Sequence, residues 1–145
     1  MFAKMLVPVD GSQAALKAAG VAAEMARRFE SRVTLLHVQQ LPGGWLVAPG
    51  AVGMVASEAA LAALEEAAQE AVRVARATLD LPADRVTELI VVGHPAETIC
   101  RIAEEGAYEL IVMGSRGLSE VSGFFLGSVS DKVSHHAPCP VLIVH

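Results

Sequence analysis

The feature that most constrains how this chain folds is a regular alternation between short apolar runs and longer segments with helical periodicity. Five runs rich in Val, Ile and Leu end at turn-forming residues and predict strands, at residues 5–9, 32–38, 86–92, 109–113 and 138–144. The intervening segments predict helices, at residues 13–29, 58–79, 95 onward and about 128–136. This alternation predicts an α/β fold, a doubly wound parallel sheet with helices on both faces and right-handed connections.

Local signals predict where the helices start and which faces they bury. Ser12 and Ser57 are expected to cap the first two helices, and Pro95 suits the first turn of the third. The first helix is expected to pack through a face of mostly small residues, Leu16, Gly20, Ala23 and Ala26. The second is expected to bury an apolar stripe, Leu61, Leu64, Ala68, Ala71, Val72, Ala75 and Leu79. Because the apolar runs are unbroken, we expect the strands to be buried on both sides.

Composition excludes several classes of protein. With 145 residues, 53% of them hydrophobic, the chain is expected to form a single domain over residues 1–145 rather than a disordered chain. Its net charge of −5 argues against binding to nucleic acid, which favours a basic face. The stretch 33–57 has no charged residue, but its Pro and Gly residues divide it into a strand and a loop around Trp45, so we reject a membrane helix.

The two cysteines and the start of the chain indicate a compartment. Cys100 and Cys139 are too few for a disulfide framework and predict buried free thiols in a reducing environment. The first ten residues carry one Lys and an apolar run too short for a secretory signal. Both observations predict a cytoplasmic location.

Residues at the ends of the predicted strands are candidates for a binding site, because parallel α/β sheets bind ligands beyond the carboxyl ends of their strands. Four residues share this position, Asp10, Val38, Gly93 and Gly114. Asp10 is the only acid among them. This argues against a receiver-type phosphoacceptor domain, because that chemistry needs an acidic cluster for Mg²⁺.

The segment after the fourth strand has the pattern of a phosphate site. Gly114 is expected to adopt an unusual turn conformation on leaving the strand, and Gly117 to let the backbone approach a ligand closely. Gly127 and Ser128 open the last helix, whose unpaired N–H groups and partial positive charge favour an anion. The further candidate donors are Arg116, Ser128 and Ser130. The same residues also suit a flexible loop and an ordinary helix cap, so the residues alone leave both interpretations open.

The spacing of these residues, G-x2-G-x9-G-[S/T], resembles the ATP-binding signature of the universal stress protein family. The similarity extends along nearly the whole chain, at residues 7–12, 35–38, 93, 127–133 and 139–142. The resemblance implies a five-stranded sheet in the order 3-2-1-4-5. It also implies a homodimer formed through the edge strand Val141–Val144.

The resemblance further implies where a nucleotide would bind. Asp10 would lie by the ribose, Val38 would meet adenine through its backbone, and residues 127–130 would hold the phosphates. Mg²⁺ or Mn²⁺ is expected on the phosphate oxygens of ATP rather than on protein ligands. The nucleotide-binding residues implied are Pro8, Val9, Asp10, Val38, Met113, Gly114, Arg116, Gly117, Gly127, Ser128, Val129 and Ser130.

The implied function is that of an ATP-binding regulatory module in a stress response, with no catalytic residues and with a protein partner that the sequence does not identify. Two alternatives use the same residues. One is a slow ATPase or autophosphorylating enzyme, for which Asp10 is the nearby acid, and the other is a structural dimer that does not use nucleotide. A metal site at His135, His136 and Cys139 is disfavoured, because adjacent histidines on a helix diverge by about 100°.

Overall fold

The computed structural model describes residues 1–41, 57–118 and 126–145. Its strands are β1 (Lys4–Pro8), β2 (Arg32–Gln39), β3 (Val86–Val92), β4 (Leu110–Gly114) and β5 (Val141–Val144). Its helices are α1 (Gln13–Phe29), α2 (Glu58–Leu79), α3 (Pro95–Glu105) and α4 (Ser128–His136), with a short 3-10 helix at Ala83–Arg85. The predicted loop around Trp45 falls outside the described residues.

All five strands run parallel in the order β3-β2-β1-β4-β5, which confirms the doubly wound fold. Met5 of the central strand β1 is level with Val33 of β2 and with Leu110 of β4. The winding reverses between β1 and β4, and such a switch point leaves a crevice where the strands end. We call that side of the sheet the carboxyl edge, and the side where the strands begin the amino edge.

The helix starts and most element bounds agree with the sequence. The hydroxyls of Ser12 and Ser57 accept the N–H groups of Ala15 and Ala60, each at 3.2 Å, as N-caps do. The bounds of α1, α2, α4 and β3 are those predicted, and those of β1, β2 and β4 differ by one residue. β5 begins three residues later than predicted, at Val141, because the prolines before it have no N–H to offer a neighbouring strand.

The face through which α1 packs on the sheet includes the predicted Ala23 and Ala26 but is centred differently from the prediction. Its buried residues are Ala15, Ala18, Ala19, Ala22, Ala23 and Ala26. Leu16 and Gly20 are only half-buried, so they lie beside the contact rather than at its centre. Alanines occupy the centre because their small side chains let the helix backbone lie close to the sheet.

The predicted stripe of α2 is buried only in its second half, from Ala68 onward. Leu64 is half-buried and Leu61 is 44% exposed. Nε of Arg76 lies 3.9 Å from Oε1 of Glu88 on β3, which aligns the helix with the strand. Leu61 lies about 22 Å from Arg76 along the axis of α2. In the same direction, β3 ends only about 13 Å beyond Glu88. The first turns of α2 therefore extend past the carboxyl edge.

The edge strands are less buried than predicted. β3 exposes Ile90 and Val92, and all four residues of β5 are only half-buried. An edge strand lacks a neighbour on one side, so its apolar run is not covered as in the centre. Two buried clusters flank the central strands, one under α1 and α2 and the other under α3 and α4. Among the described helices, none is both long and apolar enough to cross a bilayer.

Candidate functional site

A cavity of about 470 Å³ opens at the carboxyl edge, and we call it the first cavity. Its wall contains all twelve residues that the resemblance implies for nucleotide binding, Pro8, Val9, Asp10, Val38, Met113, Gly114, Arg116, Gly117, Gly127, Ser128, Val129 and Ser130. They come from separate segments of the sequence, and the parallel topology brings these segments together. The structure therefore places them at one site, while their contact with a nucleotide stays a prediction.

Asp10 and Gly117 meet in the wall of the first cavity. Oδ1 of Asp10 accepts the N–H of Ser12 at 2.9 Å, an arrangement that orients the carboxylate after the turn at Gly11. A Cβ on Gly117 would lie 2.8 Å from Oδ2 of Asp10. The missing side chain at Gly117 thus lets the segment after β4 approach the half-buried carboxylate that follows β1.

Gly114 has a different role from the predicted one. It is the last residue of β4, and Gly11 is the only glycine of the described residues with a left-handed backbone, at φ +85°. A Cβ on Gly114 would lie 2.7 Å from the carbonyl carbon of Ala14 and 2.9 Å from the nitrogen of Ala15. The predicted turn conformation is therefore wrong, and glycine is needed because the first turn of α1 lies directly against β4.

Internal hydrogen bonds fix the start of α4. The N–H of Gly127 donates to the carbonyl of Ser115 at 2.7 Å, and the hydroxyl of Ser130 donates to the same carbonyl at 2.8 Å. These two donors are therefore engaged within the protein, in contrast to the prediction that they serve a phosphate. Their role in this structure is to hold the start of α4 against the chain that leaves β4.

Three other N–H groups at the start of α4 are available to a ligand. The first turn of a helix has no intrahelical acceptors for its N–H groups, and those of Ser128, Val129 and Ser130 have no acceptor among the described residues. Arg116 lines the same cavity and forms no ion pair within the described part of the chain. The guanidinium and the helix N-terminus together give this wall the polarity that binds phosphate.

The opposite part of the wall is largely apolar. Val38 and Met113 line it together with Ile99, and all three also pack in the cluster under α3 and α4. An apolar wall beside a few polar groups is typical of pockets that bind small organic ligands. The first cavity thus combines a surface suited to a flat base with a surface suited to an anion.

Seven further residues line the first cavity and were not predicted from the sequence as site residues, Ala15, Leu36, His37, Gln40, Pro95, Ile99 and Leu118. His37 is the most informative of these. Its Nδ1 lies 2.9 Å from the carbonyl oxygen of Val9, and because a carbonyl only accepts, Nδ1 carries hydrogen and donates. The signal for His37 is its position next to Val38, near the end of a strand whose carboxyl end faces the site.

Few of the described side chains have the chemistry to bind a metal or to react with an electrophile. The described residues contain no cluster of three His, Cys, Asp or Glu side chains that would hold a metal ion. Nδ1 of His135 and of His136 donates to a carbonyl of the same helix, each at 2.8 Å. Cys100 and Cys139 are free and half-buried rather than fully buried, and burial raises the pKa of both thiols, which disfavours the reactive thiolate.

Comparisons with known proteins agree with this fold. A family model described as the universal stress protein family matches residues 1–145. A Thermus aquaticus protein named "Universal stress protein in QAH/OAS sulfhydrylase 3'region" is 38% identical over 144 residues, which cover 99% of each chain.

Two solved structures are similar over almost their whole length. A universal stress protein in complex with cAMP is 27% identical, with a TM-score of 0.64 over 98% of this chain and 95% of that one. The universal stress protein from Archaeoglobus fulgidus in complex with dAMP is 25% identical, with a TM-score of 0.66 over 100% of both chains.

Proposed function

Because the chain belongs to the universal stress protein family, we propose that it binds an adenine nucleotide in the first cavity and acts as a nucleotide-dependent regulatory module in a stress response. The observation that carries the proposal is the division of this cavity into an apolar wall and a wall where, beside Arg116, N–H groups lack acceptors among the described residues. The two similar structures with cAMP and dAMP support an adenine nucleotide as the ligand.

The geometry suggests a role for each part of the site. Adenine occupies the apolar wall and is recognised by the backbone at Val38, and the ribose lies near Asp10. The phosphates face the N–H groups of residues 128–130 and the guanidinium of Arg116. Several such donors, each contributing about 1 kcal/mol net, together with burial of the base, are consistent with micromolar affinity.

Within this proposal the preferred ligand is ATP with Mg²⁺ or Mn²⁺. The donor set tests whether a metal fits: Asp10 is the only carboxylate among the described wall residues, and Oδ1 already accepts the N–H of Ser12. A divalent cation prefers several oxygen ligands. The wall therefore suits a cation carried on the phosphate oxygens, which would neutralise part of their charge, rather than one held by the protein.

Calorimetric titration with AMP and with MgATP tests the proposal, with Gly117→Glu as the disrupting variant. The new side chain collides with Asp10 and places a second negative charge in the cavity, so binding is expected to weaken at least tenfold. Gly20→Glu is the matched control, because a Cβ there meets no atom within 4 Å and Gly20 does not line the cavity. Absence of binding by the wild type, or equal affinity in Gly117→Glu, contradicts the proposal.

The proposed active form is a homodimer that pairs through β5 (Val141–Val144). The carbonyls of Pro140 and Val144 accept N–H groups from the side of β4. Residues alternate in direction along a strand, so the N–H and carbonyl of Ile143 face away from β4, where a second strand can pair. The half-buried apolar side chains of β5 are consistent with cover by a second copy.

Light scattering after gel filtration tests the dimer. Ile143→Pro removes the outward N–H and is expected to give a folded monomer, with folding checked by circular dichroism. Ile143→Val keeps the N–H and should remain dimeric. A monomeric wild type, or a dimeric Ile143→Pro variant, is the contrary result.

A further inference from the structure

The turn from β1 to α1 carries Asp10 and leaves the sheet at Val9. The N–H of Val9 donates to the carbonyl of Leu36 in β2, at 2.8 Å. Beyond this bond, the described part of the sheet makes no backbone hydrogen bond to Asp10 or Gly11. The position of Asp10 therefore depends on contacts that side chains make.

His37 of β2 makes the side-chain contact between the sheet and this turn. Residues alternate between the two faces of a strand, and Leu36 and Val38 pack in the cluster under α3 and α4. His37 therefore lies on the opposite face, where Val9 packs. Its Nδ1 donates to the carbonyl of Val9 at 2.9 Å, and no backbone N–H of the described residues does so. Val9 is buried, so its carbonyl needs a donor, and the ring of His37 supplies one.

This hydrogen bond acts directly on Asp10. The carbonyl of Val9 belongs to the same planar peptide unit as the N–H and the Cα of Asp10. A donor that fixes the direction of the carbonyl therefore also fixes the plane from which the Asp10 side chain departs.

α1 fixes the other side of the turn. Oδ1 of Asp10 accepts the N–H of Ser12 at 2.9 Å, and Ser12 is itself the N-cap of α1. The remaining oxygen, Oδ2, faces the segment after β4, because a Cβ on Gly117 would lie 2.8 Å from it. The Asp10 carboxylate is thus oriented from α1 through Ser12 and from β2 through His37.

We propose that His37 is a positioning residue for the ribose of the bound nucleotide. Its ring holds the Val9 carbonyl and so orients the Asp10 carboxylate, whose Oδ2 accepts a ribose hydroxyl. The inference rests on the proposed function, in which Asp10 lies near the ribose. His37 lines the first cavity, but its donor nitrogen is engaged with Val9, so it acts through Asp10.

Titrations with AMP and with dideoxy-AMP, which lacks both ribose hydroxyls, test the proposal in His37→Phe. Phe keeps a flat ring without a donor, so AMP is expected to bind about fivefold more weakly, the effect of one lost hydrogen bond. Dideoxy-AMP is expected to bind as it binds the wild type, because it makes no contact that Asp10 could lose. Equal losses for the two ligands indicate a general structural effect and overturn the proposal, as does unchanged AMP affinity.

His37→Asn tests whether the donor is what matters. Its side-chain amide offers an N–H near the position of Nδ1, so AMP affinity is expected to stay within about twofold of the wild type. His136→Phe is the matched control, because Nδ1 of His136 also donates to a backbone carbonyl, at 2.8 Å, but at the end of α4. It should leave AMP affinity unchanged. A loss in His37→Asn or in His136→Phe as large as that in His37→Phe overturns the proposal.

A double-mutant cycle tests whether His37 acts through Asp10. In Asp10→Ala the group that His37 orients is absent, so adding His37→Phe is expected to weaken AMP by less than about twofold. Losses that simply multiply show that the two residues act independently, and they overturn the proposal.

Nitrogen-15 NMR of the imidazole rings tests the hydrogen bond without any ligand. The bond requires hydrogen on Nδ1 of His37, and the shifts of the ring nitrogens show which nitrogen carries it. Hydrogen on Nε2 alone overturns the inference whatever the nucleotide affinity. If the wild type binds no AMP, the proposed function fails and the inference fails with it. If the wild type binds AMP and His37→Phe binds it equally well, only the inference fails.

Discussion

The two edges of the sheet differ in the partners that they offer to the backbone groups at the helix ends. Each helix follows a strand and runs back across the sheet, so the helix N-termini gather at the carboxyl edge and the C-termini at the amino edge. The partial charges of the helices therefore add to a positive potential at one edge and a negative potential at the other. Cationic side chains contact the last carbonyls of three helices at the amino edge, whereas N–H groups at the starts of α1 and α4 lack acceptors among the described residues.

At the amino edge, cationic side chains meet the last carbonyls of three helices. The guanidinium of Arg85 donates to the carbonyls of Ala26 in α1 and of Ser31 just beyond it. Nζ of Lys4 donates to the carbonyl of Gly106 at the end of α3, at 2.6 Å. Arg27 donates to the carbonyl of Leu79 at the end of α2, at 3.3 Å. These contacts satisfy acceptors that a helix cannot satisfy by itself.

At the carboxyl edge the N–H groups of the helix starts are only partly satisfied, for example those of Ala15 and Ala60 by serine caps. The first N–H groups of α1 and α4 lack acceptors among the described residues, and Lys17 and Arg116 lack acidic partners there. Cationic side chains near helix ends therefore have two different roles in this fold. Those at the amino edge stabilise the chain, and those at the carboxyl edge are available to an anion.

The largest expected effect is on the close contact between Gly114 of β4 and the first turn of α1. Gly114→Ala places a Cβ against the backbone of Ala14 and Ala15, which cannot yield as a flexible side chain would. We expect a loss of about 3 kcal/mol in the free energy of unfolding, measured by urea denaturation. Gly20→Ala is the control, because it meets open space in a helix and should stabilise by about 0.5–1 kcal/mol. Equal stabilities of the two variants would refute this account of Gly114.

Arg85→Ala tests the structural use of a cation at the amino edge. It leaves the part-buried carbonyls of Ala26 and Ser31 without their donor, and we expect a loss of about 2 kcal/mol in stability. Nucleotide affinity is expected to stay at the wild-type value, because the site is at the other edge. A loss of affinity in a variant that is still folded would break the proposed separation of the two edges.

Arg116→Ala is the converse test at the carboxyl edge. Its guanidinium makes no hydrogen bond or ion pair with the described residues, so stability should change by no more than about 0.5 kcal/mol. The affinity for ATP is expected to fall about tenfold, because a charge-assisted contact to phosphate is removed. Titration calorimetry and urea denaturation of the same sample measure both quantities. A large loss of stability without a loss of affinity would show that Arg116 stabilises the fold rather than binding phosphate.

Tyr108→Phe is expected to have the smallest effect on stability, and it tests a single hydrogen bond at the amino edge. The phenol of Tyr108 donates to Oγ1 of Thr34 at 2.9 Å, and the ring lies under Nζ of Lys4, 4.4 Å from it. Removal of the hydroxyl is expected to cost about 1 kcal/mol in unfolding free energy, while the ring contact with Lys4 remains. Nucleotide titration should show no change in affinity. Any change would mean that the amino edge influences binding at the carboxyl edge.

The fold was largely predictable because its signals are local. Ser12 and Ser57 mark helix starts, and the length of each periodic segment fixed the bounds of α1 and α2. The topology then placed the twelve candidate residues in one cavity, since every predicted strand ends at the same edge.

The parts that sequence did not predict depend on contacts between distant segments. Nothing near Gly114 in the sequence indicates that α1 lies against it, and nothing near Gly127 indicates a bond to the carbonyl of Ser115. The exposure of Leu61 follows from a helix that is longer than the strands beneath it, which periodicity alone does not show. His37 was missed because a strand pattern does not show which side chain reaches across to a neighbouring strand.

Amide chemical-shift mapping of the isotopically labelled protein during an AMP titration tests the central claim most directly, because it observes both edges at once. The account predicts saturable shifts at the carboxyl edge, at Asp10, Val38, Gly117 and Val129, while Ser31 and Gly106 at the amino edge keep their positions. Shifts confined to the amino edge, or no saturable shifts at all, would contradict the claim that an adenine nucleotide binds at the carboxyl edge, beside the N–H groups at the start of α4.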